Sequence, residues 1–176
     1  TYPPADHLLE LLLTINAAQQ AGAEYITAII PYLGYARQDR MHQTGSSVGA
    51  ELVAHLLTNA GLDRLITCDL HASHIVDYFE GPVQHLTMAS IFIAYIRRLQ
   101  LPQLTFVAPD RGRVALVQHY AEHFEAPFVV ANKQRSAPNQ VAAVQLQGSV
   151  QGADVVMIDD IVDTGYTICS TAAQLT

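Results

Sequence analysis

With 176 residues, 50% of them hydrophobic and 14% charged, the chain can bury a core as one large or two small domains. No apolar run reaches the length of a membrane span and no secretory leader is visible, so neither is expected. A net charge of −7 argues against nucleic-acid binding through a general basic surface. In chain order, a helix is predicted from a cap at Asp6, with Leu8, Leu12 and Ile15 at helical spacing, to a stop at Gly22. "YITAIIP" (25–31) is a short, β-branched run bounded by proline and reads as a buried strand. "SVGAELVAHLLTNAG" then reads as helix, "RLITCDL" as strand, "SHIVDYF" as a short helix and "MASIFIAYIRRLQ" as a helix. "LTFVAPD", "PFVVA", "QVAAVQL" and "DVVMIDD" read as strands, with "VALVQHYAEHF" a helix after the first of them.

Apolar strands without alternation, separated by helices, predict parallel strands covered on both faces. Such sheets bind ligands beyond the carboxyl ends of their strands. A domain boundary is expected between 82 and 90, after the Gly81-Pro82 turn, giving units 1–87 and 88–176. Cys68 and Cys169 have no metal-ligand spacing and are expected to be buried, reduced thiols of a cytosolic protein. With no initiator Met and a last helix barely begun, the chain reads as an internal piece of a longer one.

Charge is distributed unevenly. Of nine basic residues, Arg37, Arg40, Arg111, Arg113, Lys133 and Arg135 fall in three segments that each follow an apolar strand. An acidic chain that gathers scarce cations there is suited to a small anion. "VVMIDDIVDTGYT" (155–167) ends a strand on Asp159 and Asp160, then places Asp163, Thr164, Gly165, Tyr166 and Thr167 at a helix start. A helix N-terminus with free N–H groups and hydroxyls suits a phosphate, and the acids before it suit sugar hydroxyls or a metal through water.

That stretch resembles the ribose-5-phosphate loop shared by phosphoribosyltransferases and ribose-phosphate pyrophosphokinases. "PYLGYARQDR" (31–40) and "CDLHASHIVDYF" (68–79) resemble the second family only, as do "VAPDRGR" (107–113) and "NKQRSAPNQV" (132–141), all in order. The resemblance implies an α/β fold of two phosphoribosyltransferase-like domains, each a mostly parallel sheet flanked by helices. It implies about 60 further residues before Thr1 and a larger tail after Thr176. It also implies a Mg2+-dependent, cytoplasmic enzyme that moves the diphosphate of ATP onto ribose 5-phosphate, assembled as a dimer-based homo-oligomer, possibly a hexamer, with no nucleic-acid or membrane partner.

Residue by residue, the resemblance assigns ATP contacts to Arg37 and Gln38, where a guanidinium fork and an amide suit a triphosphate and a purine edge. Arg40 stays open between binding and a surface ion pair with Asp39. The resemblance assigns the metal to His71, Asp69 and Asp110, although histidine suits Mg2+ only through water or a phosphate. Asp69 can instead hold the histidine tautomer, and Asp110 can be a turn residue. Lys133 and Arg135 are implied as the catalytic cations of a mobile polar loop that stabilises the transferring diphosphate. Asp159, Asp160 and residues 163–167 are implied to hold ribose 5-phosphate.

The pattern departs from the family in places. Tyr166 stands where a small residue is usual, and a positive φ there would cost about 1 kcal/mol. Met41, Gly45 and Glu51 occupy a region that is usually more basic. Arg111-Gly112-Arg113 replaces a usual Val-Gly-Gly, and His74 and Asp77 replace a usual Gln and Gly. Two competing readings follow: a catalytically silent regulatory homologue, and a phosphoribosyltransferase, which leaves "YARQDR" and "DLHAS" without a reason.

Overall fold

The computed structural model describes residues 3–134 and 143–175, with side chains left out at 132–134 and 143–145. The chain divides into two compact units, Thr1–Met88 and Ala89–Thr176, and each is described by itself.

In the first unit, helix α1 (Pro4–Gln20) begins two residues before the expected cap, because Pro4 occupies the first turn, where its missing N–H costs nothing. Strands β1 (Thr27–Ile30), β2 (Arg64–Cys68) and β3 (Val83–Leu86) form a parallel sheet in the order β1-β2-β3. Helix α2 (Gly49–Asn59) crosses from β1 to β2 and buries Ala50, Val53, Ala54 and Leu57, one face at helical spacing. It packs with Ile15 of α1, Leu65 of β2 and Ile75 into one core. Gly61 follows at φ 106°, so that Leu62 N–H turns back to the Leu57 carbonyl at 3.1 Å.

The expected short helix is a 3₁₀ helix, Ser73–Tyr78. Two details differ from expectation. Strand β3 is new, since its four residues are mostly exposed and carry no apolar run. Strand β1 is not covered on both faces, since Ile29 is 71% exposed.

In the second unit, α3 (Ala89–Leu99) precedes β4 (Leu104–Ala108), and α4 (Val114–Phe124) links β4 to β5 (Phe128–Gln134). Then come β6 (Ala143–Gln147), β7 (Asp154–Met157) and α5 (Tyr166–Ala172). The sheet order is β6-β5-β4-β7. Central β4 alternates faces: Phe106 and Ala108 join α3 and α4, and Val107 packs with Val129 and Val150 on the other side. The pairs β4–β5 and β4–β7 are parallel, and β5–β6 is antiparallel.

That antiparallel pairing changes one reading. Lys133 belongs to β5, opposite Val144 of β6, rather than to a loop. Arg135 lies outside the described residues. Neither cysteine is fully buried: Cys68 is partly buried and Cys169 exposed, both unbonded. No helix among the described residues is long and apolar enough to cross a membrane.

Candidate functional site

In the first unit, site residues sit beyond the ends of β1 and β2. The segment after β1 turns through Tyr35 in the left-handed region (φ 63°) and exposes Arg37 and Gln38. A tyrosine at such φ is strained, a cost of about 1–3 kcal/mol that the surroundings must offset. They do so by hydrogen bonding. Gln38 N–H donates to the Tyr35 carbonyl (2.9 Å), and the Gln38 carbonyl accepts from Ala50 N–H (3.1 Å) in the first turn of α2.

Asp39, 6% exposed, is held from the 3₁₀ helix after β2. Its carbonyl accepts from Tyr78 Oη–H at 2.6 Å and lies 3.1 Å from His74 Nε2. His74 Nε2 is also 3.5 Å from Asp39 Oδ2. A surface ion pair between Asp39 and Arg40 is therefore replaced by a buried Asp39 partnered with His74. His74, noted in the sequence only as a departure from the family pattern, anchors the Arg37–Gln38 segment.

Asp69, at the end of β2, also has a left-handed backbone (φ 39°), which aspartate tolerates better than most residues. Strand β3 fixes it. Asp69 N–H donates to the Leu86 carbonyl (3.0 Å), and Met88 N–H donates to both Asp69 carboxylate oxygens (3.3 and 3.2 Å). Next to it, Leu70 N–H donates to His85 Nε2 (2.9 Å), which places the His85 proton on Nδ1. His71 is partly buried two residues beyond Asp69.

In the second unit, β4 and β7 are adjacent parallel strands, so the turns that follow them meet. Asp110 Oδ1 caps the turn Arg111–Arg113 by accepting from Gly112 N–H (2.9 Å). That turn aims Arg113 at the acid pair beyond β7: Nη1 is 2.9 Å from Asp160 Oδ2, and Nε is 4.0 Å from Asp159 Oδ1. Asp159 Oδ1 accepts from Asp160 N–H and Asp160 Oδ1 from Ile161 N–H, both at 2.9 Å. Burial pushes the Asp159 carboxyl up to about 6, helped by a side-chain hydrogen bond with Asp160 and by repulsion from Asp160 and Asp110, and opposed by the Asp160 N–H. Asp110, Asp159 and Asp160 thus converge on one another.

Beyond the acids, Asp163 and Thr164 are exposed, and Gly165 takes φ 74° as the residue before α5. Tyr166 N–H donates to Thr164 Oγ1 (3.4 Å) and Cys169 N–H to the Gly165 carbonyl (2.9 Å). The positive φ falls on Gly165, where no Cβ resists it. Tyr166 is a helical residue, 65% exposed, so the strain considered for it does not arise.

The structure thus brings Asp110 together with Asp159 and Asp160, and sets Asp69 and His71 close in the first unit. Among the described residues no three His, Cys, Asp or Glu side chains gather as a metal-ligand set. The Asp69 and Asp110 oxygens are the hard donors Mg2+ takes, and His71 fits only through water or phosphate. A groove of about 360 Å³, lined by Leu8, Leu11, Ile29 and Tyr32 among others, carries none of the predicted site residues. Sequence reasoning missed His74, Tyr78, His85 and Arg113 in these supporting positions, and only the local departures at His74 and Arg113 could have signalled them.

An α/β unit that presents an acid pair, a left-handed glycine and a helix start beyond its strand ends has the form of a phosphoribosyltransferase-like domain. Residues 83–176 match the phosphoribosyl transferase domain family, and residues 1–61 match the N-terminal domain of ribose phosphate pyrophosphokinase. The chain is 47% identical to a ribose-phosphate pyrophosphokinase of Porphyromonas gingivalis, over 98% of this chain and 55% of the relative. It is 41% identical to a ribose-phosphate pyrophosphokinase of Synechococcus elongatus, over 99% of this chain and 53% of the relative. Among solved structures, it matches phosphoribosylpyrophosphate synthetase from Mycobacterium smegmatis with a TM-score of 0.88 and 34% identity, covering 96% of this chain and 55% of that one. The chain belongs to the phosphoribosyl transferase domain family and, within it, to the ribose-phosphate pyrophosphokinases. It spans about half the length of the curated relatives it matches.

Proposed function

We propose that the protein transfers the diphosphate of ATP to the anomeric hydroxyl of ribose 5-phosphate, giving phosphoribosyl pyrophosphate and AMP. One observation carries the reading: the loop Asp159–Thr167, with its acid pair, Gly165 and helix start, stands in one chain with the Arg37–Gln38 and Asp69–His71 segments. Relatives named for this activity match nearly the whole chain.

The anomeric oxygen attacks the β-phosphorus of ATP, and the bond from that phosphorus to the AMP oxygen breaks. Such in-line transfer depends on positioning and charge neutralisation. Asp159 and Asp160 accept from ribose hydroxyls, and residues 163–167 receive the 5-phosphate through N–H groups and hydroxyls. Arg37 and Gln38 take the nucleotide. Lys133 and Arg135 neutralise the diphosphate as it transfers. Asp69 and His71 in the first unit, His71 through water, and Asp110 in the second are the residues that would hold Mg2+, whose charge would supply further neutralisation. The protein acts in the cytoplasm as a homo-oligomer, dimer-based and possibly hexameric.

The test is AMP release from ATP by the protein at its natural full length, with Mg2+, with and without ribose 5-phosphate. Sugar-dependent AMP is expected; none, or release indifferent to the sugar, overturns the proposal. Lys133→Ala should lower kcat on the order of 100-fold with little change in either KM, as loss of transition-state stabilisation requires.

A further inference from the structure

Asp159 and Asp160 are adjacent carboxylates, each about 10% exposed, with Asp110 close enough to repel Asp159. Three acids drawn out of water do not hold one geometry unless a cation or a proton compensates them. Arg113 is the cation whose ion pairs with the two aspartates are seen, and it is itself only 17% exposed. Its backbone is fixed by the same group of acids, since Arg113 N–H donates to the Asp110 carbonyl at 3.2 Å. A guanidinium on a short capped turn, reaching a carboxylate at 2.9 Å, ties the turn after β4 to the loop after β7.

We propose that Arg113 is a positioning residue of the sugar-phosphate site: it holds the Asp159–Asp160 pair so that their remaining lone pairs meet the sugar hydroxyls. The proposal rests on the reading of Asp159–Thr167 as the ribose 5-phosphate loop. A carboxylate oxygen has two lone pairs, so Asp160 Oδ2 can keep Arg113 while accepting a hydroxyl. A glycine at this position, as the family resemblance leads one to expect, would have to meet that need by other means. Arg113 therefore couples the acid pair to Asp110, while the 5-phosphate end of the ligand is left to residues 163–167.

The test uses the full-length protein, with ribose 5-phosphate affinity read by calorimetry and both KM values by steady-state kinetics. Arg113→Gln should weaken ribose 5-phosphate by about tenfold in Kd and KM, the scale of one charge-assisted contact. The KM for ATP should stay within about twofold. Arg113→Lys should recover part of the loss. In an Arg113→Gln, Asp160→Asn double variant the two losses should be less than additive. Unchanged sugar affinity in Arg113→Gln, equal rises in both KM values, or simple additivity would each overturn the proposal. If Arg113→Gln does not fold, Arg113→Lys with wild-type ATP KM and weakened sugar binding supports it, and full wild-type sugar affinity overturns it. If the wild-type protein binds no ribose 5-phosphate, the reading beneath the proposal fails and the proposal with it. Wild-type binding with an indifferent Arg113 removes the proposal alone.

Discussion

The two units secure their ligand loops by the same topological move and by different chemistry. In the first, the segment after β1 is held from the 3₁₀ helix after neighbouring β2, where Tyr78 and His74 reach the Asp39 carbonyl. In the second, the loop after β7 is held from the turn after neighbouring β4, where Arg113 reaches Asp159 and Asp160. Parallel neighbours end side by side, so each offers its own turn as a brace. The first brace ends chiefly on a backbone carbonyl, which every residue supplies, with the Asp39 carboxylate a weaker contact 3.5 Å from His74. The second ends on two side-chain charges, which only these residues supply. The first should therefore tolerate substitution at the braced residue, and the second should not.

Asp160→Ala is the largest test. It strips Arg113 of its 2.9 Å partner and leaves a guanidinium that is only 17% exposed. A loss of about 2 kcal/mol is expected, below the usual cost of breaking a fully buried pair because some water reaches the guanidinium. Asp39→Ala should cost within about 1 kcal/mol, since the Tyr78 bond ends on the backbone and survives. Urea unfolding of both variants measures the contrast. Equal losses would break it.

Acid separates the braces next. Burial raises the Asp159 carboxyl to about 6 in the folded chain, from an ordinary value of 3.8. Between those values the folded state holds a proton that the unfolded state has released. Stability from this group is thus full below about pH 4, falls as pH rises towards 6, and is flat beyond. Binding runs the other way, because protonated Asp159 loses acceptor capacity, so the KM for ribose 5-phosphate should rise below pH 6. Urea midpoints and KM across pH 4–8, each against Asp159→Asn, check both signs. A variant with the wild-type profile would assign the titration elsewhere.

Tyr78→Phe is a smaller test, of the neutral brace. It removes the 2.6 Å donor from the Asp39 carbonyl but leaves His74 at 3.1 Å. A loss of about 1 kcal/mol is expected, with the KM for ATP up a few-fold and that for ribose 5-phosphate unchanged. A matching change in both KM values would mean that the brace acts on more than the segment it touches.

What the sequence showed of these braces follows from distance along the chain. The acid pair, Gly165 and the helix start lie within a few residues, and each was recognisable. So were β2, β4 and α4, whose apolar runs and helical spacing are local. Arg113 and Asp160 are far apart in the chain, and only the pairing of β4 with β7 brings them together. Strand β3 escaped because Val83–Leu86 has two polar residues and only Val83 partly covered, yet its Leu86 carbonyl and Met88 just after it are partners of Asp69. Lys133 looked like loop because Asn132-Lys133-Gln134 is polar, but pairing with β6 extends β5 through it. Polar residues recruited by a distant strand leave no periodic trace.

The smallest effect concerns the strand beneath the Asp69 loop. Thr67 is fully buried in β2, on the face of Leu65, and its hydroxyl has no hydrogen-bond partner among the described residues. A buried hydroxyl without a partner forfeits its hydration and gains nothing. Valine has the same branching and suits a strand, so Thr67→Val should stabilise the chain by about 0.5–1 kcal/mol, read from urea unfolding. Because the Asp69 loop is fixed by backbone N–H groups and His85, nucleotide affinity should not change. Stabilisation together with weaker ATP binding would show that the Thr67 hydroxyl is kept for the loop above it. The Asp69 loop would then depend on a side chain beneath it, as the acid-pair loop does on Arg113.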